Sequence, residues 1–439
     1  MMHLRRIRRA ADVPARAWWV WGAAASFYLL ALFHRMGLGV ASLEASERLD
    51  LPVDTIAMLS ALQLGLYLAL VVPAGLAADR IGPRLTLAGG MVLMALGEIA
   101  FGFAQSAPLA LGGRALGGIG DAFIFLSVLR VAQNWFPARR YAMLALLTAT
   151  AGALGQLLAT IPLGSALEVF DWEPVFVGSG LLAAAAAVVC LIFVRDHPPA
   201  VTATATATAG TAAPRRGAAA GAGVGIGRSI VLAFGSRGTR RGFWTHFGLM
   251  GPFVAVTALW GYPYLVRGLG MAEGSARAWL LATVVACAVS SPLIGIVVAR
   301  APNTRVPLTI AITATVGARW AAALLWPGGP PLAVPLTALV LTGVTCSAAM
   351  LAFDFAREDN PPERVGTATG LVNLGGFSAA VLIQLTVGWM LRAGGGDYAL
   401  ALLPIPFLMT IACIQMVRHA RTARTPAPTT APVAYDPAS

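Results

Sequence analysis

Twelve stretches of about twenty consecutive apolar residues run through this chain, and they restrict its fold more than any single motif does. A helix of that length crosses the hydrocarbon core of a bilayer. In lipid only helices and closed barrels satisfy their own backbone hydrogen bonds. The stretches read as transmembrane helices at 18–40, 54–78, 85–104, 108–134, 141–167, 174–194, 242–266, 277–299, 306–326, 332–356, 365–391 and 398–418. With 58% hydrophobic and 11% charged residues the composition agrees, since a soluble domain carries about twice that charged fraction. A basic N-terminal segment (Arg5, Arg6, Arg8, Arg9) precedes the first stretch. That stretch is too long for a signal-peptide core and lacks a small-residue cleavage site, so it counts as the first span.

Charge sets the orientation. All 31 basic residues are arginine. With the N-terminus in the cytoplasm, the inside segments hold 23 of them and the outside loops four (Arg48, Arg267, Arg277, Arg392). Cytoplasmic loops carry the excess of basic residues, so both termini are expected on the cytoplasmic side of the membrane. The net charge of +12 follows from this topology, and no single basic face suggests a nucleic-acid partner. Cys190, Cys287, Cys346 and Cys413 fall in four different spans without CxxC spacing, which indicates neither a disulfide framework nor a metal site.

Between the sixth and seventh spans, Ala200–Gly227 is a Thr-Ala and Ala/Gly-rich stretch with no face to bury, and reads as a flexible linker. The chain therefore divides into an N-terminal six-helix half (1–194), a cytoplasmic linker (195–241), a C-terminal six-helix half (242–418) and a disordered tail (419–439). The halves look like repeats. Pro137-x-x-Arg140 recurs as Pro361-x-x-Arg364, with glycines following at the same offsets (Gly152 and Gly164, Gly376 and Gly388). Parallel repeats of this kind are expected to hold a substrate near the midplane between them.

Ionisable residues inside a span are candidates for function, because leaving them unpaired in hydrocarbon is costly. His34-Arg35 interrupts the first span, with Arg35 roughly 25 Å from the inner end and under ~10 Å from the outer one. Arg35 is thus either a functional cation or one that snorkels to the surface. His34 could carry a proton beside it. In the fourth span Arg114 and Asp121 lie seven apart on one face, and Asp121, read as an isolated buried carboxylate, is the stronger proton-coupling candidate. Glu98 is the available countercharge for Arg114 or Arg35, and both it and its repeat partner Arg319 are expected to be structural.

Trp260-Gly-Tyr-Pro-Tyr264 is expected to break the seventh span at Pro263, with Trp260 at the depth of Arg35. These aromatics suit either a binding site or an interfacial belt. Gln63, Tyr67, Gln156 and Asn373 add uncharged polar groups, and Asp354 with Arg357 reads as a surface or gating pair.

The loop after the second span reads Gly75-Leu-Ala-Ala-Asp79-Arg80-Ile-Gly-Pro-Arg84. Gly75 allows close helix approach, Asp79 can accept from the amides of a helix N-terminus, and Arg80 and Arg84 hold the loop on the positive side. With Arg114-x-x-x-Gly118-x-Gly120 and the Gly-rich fifth span, the chain resembles the major facilitator superfamily, and within it the bacterial organic-anion/proton symporters. The resemblance implies an all-α fold of twelve transmembrane helices in two pseudo-symmetric six-helix bundles. It implies a secondary transporter, not an enzyme, working by alternating access on a small anionic or zwitterionic metabolite, with a proton gradient in place of a cofactor.

On this reading Arg35, His34, Tyr67, Trp260, Tyr264 and Asn373 line the substrate, and Asp121, Arg114 and Glu98 couple protons. Gly75, Asp79, Arg80 and Arg84 form the gating loop. His34 stands where those symporters often carry an acid, and Asp121 is shorter than their usual Glu. The protein is expected to be a monomer in the bilayer. A proton-driven exporter of amphipathic compounds is the alternative; a membrane enzyme or receptor lacks any catalytic spacing to support it.

Overall fold

The structure, a computed structural model, describes residues 13–160, 162–198, 226–361 and 364–421. Among the described residues, twelve helices are long and apolar enough to cross a membrane. In the first bundle α1 is Ala15–Arg48, α2 Val53–Arg80 and α3 Pro83–Gly102. There follow α4 (Ala107–Trp135), α5 (Thr150–Val169, entered from a helix that starts at Ala138) and α6 (Trp172–Phe193). The second bundle holds α7 (Arg237–Gly268), α8 (Glu273–Arg300), α9 (Pro302–Leu324), α10 (Ala333–Glu358), α11 (Val365–Ala393) and α12 (Tyr398–Ala420). Within the bundles α3 packs on α4 and α6, α1 on α5, α7 on α11 and α12, and α8 on α10. The two bundles meet along α2–α11, α5–α8 and α1–α7.

Small residues permit these approaches. A Cβ on Gly39 of α1 would lie 2.8 Å from the Ala258 carbonyl carbon of α7, so the two helices cross in backbone contact. In the Arg114-x-x-x-Gly118-x-Gly120 motif, a Cβ on Gly118 would lie 2.5 Å from the Gln63 carbonyl oxygen of α2. One on Gly120 would meet the Gly90 carbonyl of α3 at the same distance. The motif is thus the wedge that seats α4 between α2 and α3.

Three expectations change. First, α1 does not stop near residue 40: it runs 34 residues to Arg48, about 51 Å at 1.5 Å per residue. Arg35 is then about 20 Å from the end once taken to be near, which puts it at mid-depth and beyond snorkelling reach. Second, Pro263 does not break α7. The helix continues through two wide π-type turns, Val256–Trp260 and Tyr264–Gly268, whose longer hydrogen-bond step accommodates the donor that proline lacks.

Third, the linker is structured at both ends. The Trp135 indole donates to the Arg195 carbonyl (2.7 Å), a short helix spans Ile226–Gly235, and α7 begins at Arg237. Residues 199–225 and the tail from 422 lie outside the described residues.

At the start of α3, Asp196 accepts from the Arg84 backbone N–H at 2.8 Å. Gly82 turns the chain there with φ +97°, a conformation that suits glycine alone. The Asp79 side chain lies outside what is described. Arg80 is exposed, and Gly75 faces the Leu126 side chain of α4.

Candidate functional site

At mid-depth, α1 turns Arg35 toward α4, where Asp121 sits just before an irregularity at Phe123. The Arg35 Nε donates to Asp121 Oδ2 at 2.6 Å and Nη2 to Oδ1 at 2.9 Å. The two side chains are 4% and 1% exposed. A two-point pair of this kind is the arrangement that lets opposite charges persist away from water. The guanidinium carbon lies 4.3 Å from the Tyr67 ring centroid of α2 and 5.6 Å from that of Phe377 of α11. The structure thus brings Arg35 and Tyr67 into contact, with Phe377 of the other bundle beside the same cation. Asn373 lies four residues, about one turn, before Phe377 on α11. Asp121 is not the isolated carboxylate read from the sequence; it neutralises that cation.

A second buried pair lies behind the first. Glu98 of α3 faces Arg114 of α4 at 3.6 Å, which selects Arg114, not Arg35, as its partner. Arg114 also donates to the His34 carbonyl (3.4 Å), and its guanidinium stands 5.4 Å from the Phe101 ring. Adjacent residues of α1 therefore touch both pairs: His34 through its backbone, Arg35 through its side chain.

Three expected substrate contacts are elsewhere. Successive residues on a helix point about 100° apart. The His34 ring accordingly turns away from Arg35, beside the Ser179 backbone of α6 and edge-on to Phe33. Trp260 is buried among Leu38, Ile383 and Val387, and its indole donates to the Gln384 carbonyl (3.2 Å). Tyr264 packs against Trp320 and Tyr398, with ring centroids 5.9 and 6.3 Å away. Both aromatics serve α7 packing, as the repeat offset brings Trp260 to a similar depth but not to the same face. Arg319 donates to Thr337 of α10, and Arg357 pairs with Asp354 along α10 at 2.7 Å.

Sequence reasoning missed a set of ion pairs between the bundles. At the end where α1, α5, α7 and α11 finish, Arg267 pairs with Glu47 (2.8 Å) and Arg392 with Asp54 (2.6 Å). Arg277 of α8 bonds Glu168 of α5 and lies 3.5 Å from Glu273, which also accepts from the Tyr262 hydroxyl. Glu47, Arg267, Glu168, Arg277, Glu273 and Tyr262 border a cavity of about 410 Å³ between the bundles. At the opposite end, among the described residues, Arg84 with Asp196 and Arg305 with Glu358 join helices of one bundle only. The arginines had been counted for topology; their acids sit in distant turns, and nothing in the spacing pairs them. Also missed were Tyr28, two turns from Arg35 on the same face of α1, and the buried His246 and Gln384.

The sequence pattern of the Major Facilitator Superfamily matches residues 24–384. Two proteins of Agrobacterium vitis named as tartrate transporters are 24% and 25% identical over 177 residues, 39% of this chain and 41% and 39% of theirs. A hexuronate transporter of Bacillus subtilis (strain 168) is 29% identical over 150 residues, 32% of this chain and 35% of that one. The chain thus aligns with about two fifths of the length of these curated relatives. Among solved structures, a bacterial homologue of the human lysosomal transporter Spinster, inward-facing and unoccupied, superposes with a TM-score of 0.67. Identity is 15%, covering 93% of this chain and 96% of that one. A D-xylose–proton symporter superposes with the same TM-score at 16% identity, covering 90% and 96%. At these identities the likeness concerns the fold.

Proposed function

This chain belongs to the major facilitator superfamily, and on that premise we propose that it moves a small hydroxylated organic anion across the bacterial inner membrane by proton-coupled alternating access. The observation that carries the reading is the buried Arg35–Asp121 pair, set between Tyr67 and Phe377 at the contact of the two bundles. Asp121 holds the cation in the absence of substrate. Once Asp121 takes a proton, the guanidinium fork is free for a substrate carboxylate, which fits it in the same two-point geometry. Tyr67 and Asn373 then hydrogen-bond the substrate's hydroxyl groups. Glu98 and Arg114 secure the backbone of α1 behind the site through the His34 carbonyl.

Tartrate and hexuronate, named for the relatives, are both hydroxylated carboxylates. The family and these relatives are transporters, not enzymes. With the arginine-rich side and both termini in the cytoplasm, the three inter-bundle ion pairs close the outer side, and substrate enters this state from within. The protein acts as a monomer, each chain holding both bundles. Export of lipophilic cations is disfavoured, because Asp121 and Glu98 each already face an arginine.

Thermal unfolding of the purified protein against small carboxylates, amino acids and cationic drugs tests the reading, since a ligand bound only by the folded form raises the midpoint. A carboxylate that stabilises the wild type and not an Arg35→Gln variant is the expected result. Stabilisation only by lipophilic cations, unchanged in that variant, contradicts it.

A further inference from the structure

The ten-residue helix Ile226–Gly235 stands just before α7 and is too short to cross a bilayer. It meets the second bundle along one narrow stripe at the arginine-rich end of the molecule. Ser229 shares a hydroxyl–hydroxyl hydrogen bond with Thr367 in the first turn of α11 (3.3 Å). Ala233, one turn on, is fully buried in a cluster with Ala352, Ala356, Ala368 and Val372. The larger apolar side chains lie off that stripe. Ile230, Val231, Leu232 and Phe234 are between 38% and 70% exposed. Ile230, Phe234 and Val231 share an arc of about 100° beside the packed stripe. Phe234 also meets Phe243 of α7 edge-on at 5.6 Å, so this arc adjoins a spanning helix.

From Ile226 to Ala255 the chain holds four arginines, Arg228, Arg237, Arg240 and Arg241, and no acid. Arg228 and Arg237 are exposed. Arg240 and Arg241 donate to neutral acceptors, the carbonyls of Gly235 (3.2 Å) and His419 (3.0 Å). The acids at the end of α10 are engaged: Glu358 bonds Arg305, and Asp359 accepts from the Gly238 N–H at 2.6 Å. The patch therefore combines uncovered apolar side chains with surplus positive charge, which fits acyl chains on one side and anionic headgroups on the other. The preceding segment has little to cover it with, since Val201 and Val224 are the only branched or aromatic apolar residues in 199–225.

We propose that the helix Ile226–Gly235 is an interfacial anchor that binds anionic phospholipid in the leaflet at the arginine-rich side. Ile230, Val231 and Phe234 enter the acyl region, and Arg228, Arg237 and Arg240 hold headgroup phosphates, which a guanidinium fork matches. Through Thr367 and Phe243 the anchor bears on α11 and α7, the helices of the second bundle that meet α2 and α1 of the first. This inference is independent of which substrate the protein carries.

Hydrogen–deuterium exchange over 226–235, with the full-length protein in nanodiscs of phosphatidylglycerol or of phosphatidylcholine, tests it. Exchange at least about fivefold slower in phosphatidylglycerol is expected, the effect of one arginine at an anionic surface. The difference should shrink as salt screens the charge. An Arg228→Gln/Arg237→Gln/Arg240→Gln variant should lose it, and the matching lysine variant should keep most of it. Arg300→Gln, which removes an exposed arginine at the end of α8, should leave it unchanged. Arg228→Gln alone, at an exposed position, should reduce it and decides the matter if the triple variant fails to fold. Equal exchange in the two lipids overturns the proposal, as does a difference that survives removal of the three arginines. Protection that instead depends on protein concentration in detergent, and is lost in Val231→Asn, assigns the face to a second copy and overturns it too.

Discussion

Arg35 and Asp121 lie 86 residues apart in the sequence and meet at two points in the structure, Nε to Oδ2 at 2.6 Å and Nη2 to Oδ1 at 2.9 Å. The pair belongs to one bundle, through α1 and α4, yet the guanidinium also lies near Phe377 of the other. A change in what Arg35 holds is therefore felt across the contact between the bundles. On the proposed reading, that is how the occupancy of the site is linked to the movement of one bundle against the other.

Removing the competing carboxylate should separate binding from coupling. Asp121→Asn leaves a neutral amide beside Arg35, so anion binding at neutral pH should strengthen by about tenfold, the equivalent of about 1.4 kcal/mol. In proteoliposomes the variant should keep counterflow exchange and lose accumulation driven by a pH gradient. Accumulation at the wild-type level removes Asp121 from the coupling step.

Breaking the pair from the other side should harm the fold. Arg35→Ala strands Asp121 in the interior, and an unpaired buried charge costs about 3–5 kcal/mol. The unfolding midpoint should fall clearly, and the Arg35→Ala/Asp121→Asn double variant should recover most of it while still binding no anion. Equal midpoints for Arg35→Ala and wild type contradict the pairing.

Tyr67→Phe and Asn373→Ala test the expected hydroxyl contacts. Each loses hydrogen bonds worth about 0.5–1.5 kcal/mol, so half-saturation should rise about two- to tenfold with the unfolding midpoint little changed. An unaltered transport curve in both places the substrate elsewhere.

The ion pairs between the bundles should bias the conformational equilibrium modestly. Arg277 is buried, but its acids Glu168 and Glu273 are 52% and 57% exposed, so solvent screens these pairs to about 0–1 kcal/mol. Arg277→Gln should therefore shift the balance toward opening at that end by at most about fivefold. Distance distributions between spin labels on the α5–α6 and α7–α8 turns report this directly. A variant locked closed at that end would show that Arg277 does not hold the two bundles together.

Much of the fold could be read in advance, because lipid leaves few options. Long apolar runs must be helices, and the Arg114-x-x-x-Gly118-x-Gly120 motif had to sit where a neighbour passes in backbone contact. Arg35 and Tyr67 stood out as polar groups at a cost in hydrocarbon, and the structure puts the guanidinium over the Tyr67 ring. Which face of a helix each residue takes was harder to read. His34 and Arg35 are neighbours in sequence and point to different helices, and Trp260 shares a depth with Arg35 without sharing a side. Partner choice was also hidden: Glu98 had two arginines available, and only packing selects Arg114. The inter-bundle pairs, such as Arg392 with Asp54, join turns 338 residues apart and leave no trace in spacing.

Proton uptake on substrate binding tests the central claim most directly. Titrating the protein with tartrate or a hexuronate in buffers of different ionisation enthalpy gives the number of protons taken up per anion bound. The account predicts about one for the wild type at a pH where Asp121 starts ionised, and none for Asp121→Asn. Anion binding to the wild type with no proton uptake, or the same uptake in both proteins, contradicts it.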